Sequence, residues 1–227
     1  MGVGSRKEVK DLIRKGKVRI NHVIQKSPKL TIDPNDDNIE INGETIEYKP
    51  DIYLMLNKPA GYITATEDRV QKTVLDLIKE EDKVLRPFPV GRLDKDTEGL
   101  LLIMNDGKLA HHLLSPNKDI YKTYIAHVEK EITDEDIAAF QNGLELDDGY
   151  ETKPALLKSI GDKVVEVKIT EGKFHQVKRM FEACQNKVIY LKRVSMGDLK
   201  LDEELKLGEY RELTDEELAI LKEGFVQ

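Results

Sequence analysis

Five ionisable side chains crowd the seven residues from Arg92 to Glu98: Arg92, Asp94, Lys95, Asp96 and Glu98. The run leads into Leu100-Leu101-Leu102-Ile103-Met104, apolar enough for a strand buried on both faces, and closes on an Asn105-Asp106-Gly107 turn. A carboxylate delivered by such a strand to the lip of a sheet is positioned, which is what covalent or acid–base chemistry requires. Asp94-x-Asp96-x-Glu98-Gly99 also resembles the start of a calcium loop. Its twelfth position, however, is Asn105, where a bidentate Glu is needed.

A second concentration of chemistry follows Thr170-Glu171-Gly172-Lys173. Here Phe174, Val177, Met180, Phe181 and Cys184 recur at helical spacing, predicting a helix over Phe174–Gln185 with those residues buried. His175, Lys178 and Glu182 then share another face, with Arg179 beside them. The glycine turn before the helix leaves backbone N–H groups that can meet a phosphate. Any amphipathic helix also carries polar residues opposite its apolar stripe, so spacing alone leaves both readings open.

The elements that must hold these groups alternate after Pro50. Strands are predicted at Tyr53–Leu56, Leu100–Met104, Tyr121–Val128, Ala155–Ile160, Val164–Ile169 and Val188–Val194. Helices are predicted at Lys108–Leu114, at Thr133–Asn142 and from Thr214. Gly161-Asp162 reads as a hairpin turn. Hairpins mixed with crossovers predict an α+β domain on a mixed, mostly antiparallel sheet. Before Lys49-Pro50-Asp51, Ser5 and Glu8 form a capping-box pattern for a helix ending at Gly16. Strands at Lys17–Ile24 and Ile39–Ile46 follow, the second turning at Asn42-Gly43. The expected organisation is a small basic domain over residues 1–48 and a larger domain over residues 49–227.

The net charge of −7 hides a segregation of sign. Residues 1–29 hold nine Lys/Arg against two acids, and residues 168–193 seven against two; residues 129–151 hold nine acids against one Lys. Such segregation suits a polyanion on one face, and equally suits solvated helix faces. One cysteine, Cys184, excludes an intramolecular disulfide and a zinc cage built on thiols. With 39% hydrophobic residues and neither a long apolar run nor a leader, the sequence predicts no membrane span and a cytoplasmic location. No glycine-rich nucleotide cradle is present, and the adjacent His111 and His112 diverge on a helix, so no metal or organic cofactor is expected.

Four motifs in order carry a family resemblance. Gly91-Arg92-Leu93-Asp94, with Thr97, Gly99-Leu100-Leu101 and Asn105-Asp106-Gly107, is similar to the catalytic motif of pseudouridine synthases. Asn57-Lys58-Pro59-Ala60-Gly61-Tyr62 resembles their first motif, Lys122-Thr123-Tyr124 their tyrosine motif, and Glu171 through Phe181 their third. The His-Gln-Val-Lys-Arg-Met-Phe form, with Leu207-Gly208-Glu209-Tyr210-Arg211, is most similar to the RsuA branch, which acts on small-subunit rRNA. Gly2 to Glu8 and Lys15 to Asn21 resemble the small RNA-binding domain named after ribosomal small-subunit protein four. Members of that domain family carry further residues upstream, so its first helix is expected to be incomplete.

The resemblance implies a pseudouridine-synthase catalytic domain behind a truncated RNA-binding domain. The implied activity is isomerisation of a uridine in 16S rRNA, at uridine 516, in a small-subunit assembly intermediate, by a monomer needing no cofactor. It implies Asp94 as nucleophile, Tyr124 as stacking face and proton acceptor, and Lys178 as the cation beside Asp94, with Arg179 as the alternative. Substrate contacts are implied for Arg92, Lys58, His175, Gln176 and Arg179 and, in the first segment, for Arg6, Lys7, Arg14 and Lys17. A non-catalytic rRNA-binding or ribosome-assembly protein on the same scaffold, or a synthase acting on 23S rRNA, are the alternatives.

Overall fold

The computed structural model describes residues 3–34, 36–46 and 48–225; Gly2, which opens the first-segment motif, lies outside them. Two compact units divide the chain, one of Met1–Asp51 with Lys79–Arg86, the other of Ile52–Ile78 with Pro87–Gln227. Residues 79–86, assigned from sequence to the larger domain, therefore group with the first unit.

The first unit opens with α1 (Arg6–Arg14). Its capping box is formed: the Glu8 N–H donates to Ser5 Oγ at 3.4 Å and the Ser5 N–H to Glu8 Oε2 at 2.7 Å. Four short strands follow, β1 (Val18–Ile20), β2 (Val23–Gln25), β3 (Ile39–Ile41) and β4 (Glu44–Thr45), in the order β2-β1-β3-β4. The single strand expected over Lys17–Ile24 is instead a hairpin. Asn21 and His22 both take positive φ, 49° and 68°, the geometry of a two-residue turn that asparagine tolerates. Asn42 and Gly43 turn the β3–β4 hairpin in the same way, as expected. Among the described residues of this unit, Val18 is the only buried apolar side chain, which makes a thin core.

The chain continues through β5 (Tyr53–Lys58), α2 (Glu80–Lys83), β6 (Phe88–Val90), β7 (Glu98–Met104), α3 (Gly107–Leu114), β8 (Lys122–Val128), α4 (Asp134–Asn142), β9 (Leu156–Gly161), β10 (Val164–Ile169), α5 (Gln176–Ala183), β11 (Val188–Met196), β12 (Leu199–Lys200), β13 (Tyr210–Glu212) and α6 (Asp215–Lys222). In the second unit one nine-stranded sheet runs β13-β5-β7-β11-β8-β10-β9, with β6 beside β7 and β12 beside β11. Every pairing is antiparallel except β7 with β11, where Glu98 lies opposite Lys192 and Gly99 opposite Arg193. The expected α+β class and mostly antiparallel sheet are both present. Gly99 is where the parallel strands touch: at φ 100°, a Cβ there would lie 2.1 Å from the Arg193 carbonyl oxygen.

Leu100 to Met104 are all wholly buried, so β7 is covered on both faces as its unbroken apolar run predicts. On one face Leu100, Leu102 and Met104 pack with Met55, Val90, Leu109, Leu113, Met196 and Leu221. The turn expected after β7 is a helix cap: Asp106 Oδ1 accepts from the N–H groups of Lys108 and Leu109 at 3.1 and 3.0 Å and starts α3. Thr133 and Thr214 cap α4 and α6 through capping boxes. No helix among the described residues is long and apolar enough to cross a membrane.

Candidate active site

Asp94 lies in the loop between β6 and β7, and that loop is clamped from below. Lys58, the last residue of β5, is fully buried, and its Nζ donates to the carbonyls of Thr97 (2.8 Å), Asp94 (3.0 Å), Pro59 (3.1 Å) and Lys95 (3.3 Å). Gly61 N–H donates to Lys95 O at 2.7 Å, and Thr64 Oγ1 bonds the main chain of Leu93 as both donor and acceptor. Burial pushes the Lys58 ammonium down to about 8, against the opposing pull of Asp96, Asp94 and Glu98. Expected to contact substrate, Lys58 is instead a strut: with no exposed surface and four carbonyls on its head, it fixes the backbone that carries Asp94. Asn57 works one layer further out. Its Nδ2 donates to Leu205 O at 2.6 Å, and its main chain bonds Gly208 and Glu209, docking the Leu207–Arg211 motif on β5.

The Asp94 carboxylate is a quarter exposed and faces α5. Lys178 Nζ lies 3.4 Å from Asp94 Oδ2 and 2.6 Å from Asp96 Oδ1, and His175 Nε2 lies 3.6 Å from Asp94 Oδ1. Lys178 therefore bridges two carboxylates, the nearer being Asp96. Burial works against the charged Asp96 carboxylate, but the Lys178 ammonium and the nearby His175 outweigh it and hold its pKa below the usual range. Arg179, the alternative partner, points elsewhere. Its Nε donates to Asp147 Oδ1 at 2.6 Å, and Nη2 pairs with Asp147 and, at 2.6 Å, with Asp148. Arg179 thus clamps the 147–148 turn and is not the cation beside Asp94, which corrects the alternative to Lys178.

The segment before α5 is braced from within. Glu171, buried, accepts from Tyr150 Oη (2.5 Å), the Lys153 N–H (2.8 Å) and Gln176 Nε2 (2.9 Å). Gln176 Oε1 accepts from the Lys173 N–H at 2.9 Å, so that donor is not open to a phosphate. Gln176 is itself buried with both ends of its amide bonded inside the protein, so it braces the segment, and it also lines the cleft that holds Asp94. The helix begins two residues later than its apolar spacing predicts, because His175 adopts a left-handed conformation at φ 49°. Phe174 consequently leaves the buried stripe and is 71% exposed, whereas Val177, Met180 and Phe181 are buried as expected.

Asp94, Arg92, Thr97, Tyr124, Ile169, His175 and Leu191 line one cleft. Tyr124 in β8 is largely buried, in register between Val167 of β10 and Arg193 of β11, while Arg92 is exposed. Sequence reasoning missed Leu191 and Ile169, the apolar wall, which strand alternation alone signals. It also missed two buried cations on the strands around Tyr124. Lys122 Nζ donates to Thr170 O at 3.0 Å, and burial, reinforced by Arg193, lowers it to about 8; Arg193 Nε donates to Leu100 O at 2.8 Å. Arg6, Lys7, Arg14 and Lys17 belong to the first unit, and all four are exposed. Among the described residues no three His, Cys, Asp or Glu side chains gather as a metal-ligand set.

The family model for RNA pseudouridylate synthase matches residues 52–183, which contain the whole Asp94 loop and all of α5. The chain belongs to the RNA pseudouridylate synthase family. The synthase also matches the S4 domain model over residues 1–38. It is 50% identical over 226 residues to an uncharacterized RNA pseudouridine synthase of Bacillus subtilis (strain 168), covering 98% of this chain and 95% of that one. It is 41% identical to the ribosomal small subunit pseudouridine synthase A of Vibrio cholerae (95% and 93% covered) and 39% identical to the ribosomal large subunit pseudouridine synthase B of Bacillus subtilis (97% and 91% covered). Among solved structures, a pseudouridylate synthase crystal structure superposes with a TM-score of 0.71 at 36% identity, covering 96% of this chain and 94% of that one. The synthase is accordingly an isomerase acting on RNA.

Proposed function

We propose that the synthase converts one uridine of 16S rRNA to pseudouridine, with Asp94 as the covalent nucleophile. The observation that carries this reading is the carboxylate of Asp94, backbone-fixed by Lys58 and flanked by Lys178 at 3.4 Å and His175 at 3.6 Å, in a cleft walled by Tyr124. Isomerisation breaks the bond from carbon 1′ to N1, turns the freed uracil and joins carbon 5 to carbon 1′; the proton on carbon 5 leaves and N1 gains one, so no atoms are lost and no redox partner is needed. Asp94 bonds covalently to the nucleoside while this happens. Lys178, 3.4 Å away, offsets the negative charge of the carboxylate in a partly dry site. Tyr124 offers a ring for the extruded uracil and a hydroxyl for removal of the carbon-5 proton. Arg92, exposed two residues before Asp94, binds the backbone or fills the space left by the flipped base.

The 16S assignment draws support from the His175–Phe181 form of the third motif and from the small-subunit relative at 41% identity. The large-subunit relative at 39% supports a second reading, a target in 23S rRNA. Mapping pseudouridines in both rRNAs of a deletion strain separates them: loss of uridine 516 modification supports the first, and loss of a 23S site with 16S intact replaces it with the second. Tritium release from carbon-5-labelled rRNA by the purified synthase tests the chemistry directly.

A further inference from the structure

Phe174 is 71% exposed, although its spacing belongs to the buried stripe of α5. Phenylalanine is strongly apolar and gains by leaving water, so its exposure beside the Asp94 carboxylate calls for a use. Its surroundings are built rather than loose. Glu171 and Gln176 brace the segment on either side, and the phenyl ring stacks on the His175 imidazole, centroids 3.8 Å apart and planes 16° from parallel. His175 in turn lies 3.6 Å from Asp94 Oδ1. Carboxylate, imidazole and phenyl thus form a ladder leading outward from the nucleophile. Its ring spacing is close to the ~3.4 Å step between successive nucleotides.

We propose that the outer face of Phe174 is a stacking site for the nucleobase next to the uridine that Asp94 attacks. The inference rests on the reading of Asp94 as the nucleophile in an RNA cleft. Once the target base is turned out of its strand, its neighbour loses a stacking partner, and the phenyl ring supplies a replacement. Stacking of this kind tolerates any base, because every base has a π-face. Phe174 thereby adds affinity at the one position that must be held still beside the flipped nucleotide, while the wider sequence is read elsewhere.

The test uses the full-length synthase and a synthetic rRNA fragment centred on the mapped uridine, with matched fragments lacking the base on its 5′ or its 3′ side. Phe174→Ala is expected to lower kcat/KM on the intact fragment by about 5- to 100-fold, as loss of one stacked base predicts. Phe174→Trp should restore most of that loss. On the fragment abasic at the stacked position, wild type and Phe174→Ala should agree within about twofold, as a coupled pair requires. An equal loss on all three fragments, or no loss on the intact one, overturns the stacking site while leaving the Asp94 reading intact. A wild-type enzyme that modifies no rRNA overturns both. Circular dichroism separates a folding defect from these outcomes, and a full loss of rate in a folded Phe174→Trp also counts against stacking.

Discussion

All nine cations of residues 1–29 are exposed, whereas of the seven in residues 168–193 only Lys173 and Lys187 are. The two stretches look alike when charges are counted along the chain. In the first, the pairs that form are loose, such as Arg14 with Asp11 at 3.5 Å and Arg19 with Glu40 at 3.8 Å, and pairs of that kind contribute little. In the second, Lys178 is held by Asp94 and Asp96, Arg179 by Asp147 and Asp148, Lys168 by Glu166, and Arg193 by the Leu100 carbonyl. Hydrated cations attract a polyanion over a distance set by salt. Desolvated, anchored cations act over one or two bonds and need no reorganisation. On this contrast the first stretch is expected to serve RNA binding and the second to position the site.

The strongest way to break that division is Asp94→Asn. The amide is nearly isosteric and keeps the backbone bonds from Lys58, so the protein should fold while tritium release falls by several powers of ten. Residual turnover above about one per cent of wild type would remove Asp94 from the nucleophile's role. Next in size is the contrast between neighbours on α5. Lys178→Met should lower kcat by about 100-fold, the scale of one lost charge-stabilising group, whereas Arg179→Met should cost only a few-fold through the 147–148 turn. Comparable losses for both would mean that the ion pairs of Arg179 are not its main function.

Neutralising Arg6, Lys7, Arg14 and Lys17 together to Gln sharpens the other half. We expect weaker rRNA binding and a plot of log affinity against log salt flattened by about 3 units, at roughly 0.7–0.9 per lost phosphate contact, with the single-turnover rate at saturating RNA changed less than about twofold. An unchanged salt slope with a slowed saturated rate would instead make the first unit a positioning device for the target uridine.

How much of this was readable in advance follows from how local each signal is. The capping box at Ser5, the helices beginning at Thr133 and Thr214 and the buried run Leu100–Met104 depend on residues close in sequence, and the structure contains them. The family motifs located Asp94, Tyr124 and His175 in one cleft. What sequence could not give were directions decided by distant partners. Lys178 and Arg179 are adjacent, and only the packing of α5 between two acidic loops decides which one meets Asp94. Phe174 fits the helical period, yet one left-handed residue, His175, moves it out of phase. Lys58 lies just beyond the predicted strand Tyr53–Leu56, and the family resemblance implies a substrate contact for it. That it is swallowed by four carbonyls depends on a loop thirty-six residues away.

The smallest expected effect concerns that swallowed lysine and has opposite signs for stability and activity. Burial lowers the Lys58 ammonium from 10.5 to about 8, and Lys122 likewise. Below pH 8 the folded and unfolded chains both hold these protons. Between about 8 and 10.5 the folded chain releases them while the unfolded chain keeps them, so the unfolded state binds more protons and stability rises with pH. Above about 10 the sign reverses: Tyr150, bonded to Glu171, and Tyr190, buried against Glu98, are pushed up to about 12, and the unfolded chain then loses protons that the folded chain retains. The melting temperature should therefore climb by a few degrees from pH 8 to a maximum near pH 9–10 and then decline. Over the same rise kcat should fall, because a neutral Lys58 has two protons for four carbonyls and slackens the loop that holds Asp94. Lys58→Met should flatten the alkaline rise in melting temperature and remove the lysine-linked fall in its already reduced kcat. A melting temperature that declines steadily from pH 8, or a slope unchanged in Lys58→Met, would mean that Lys58 keeps its proton and that the clamp is insensitive to pH.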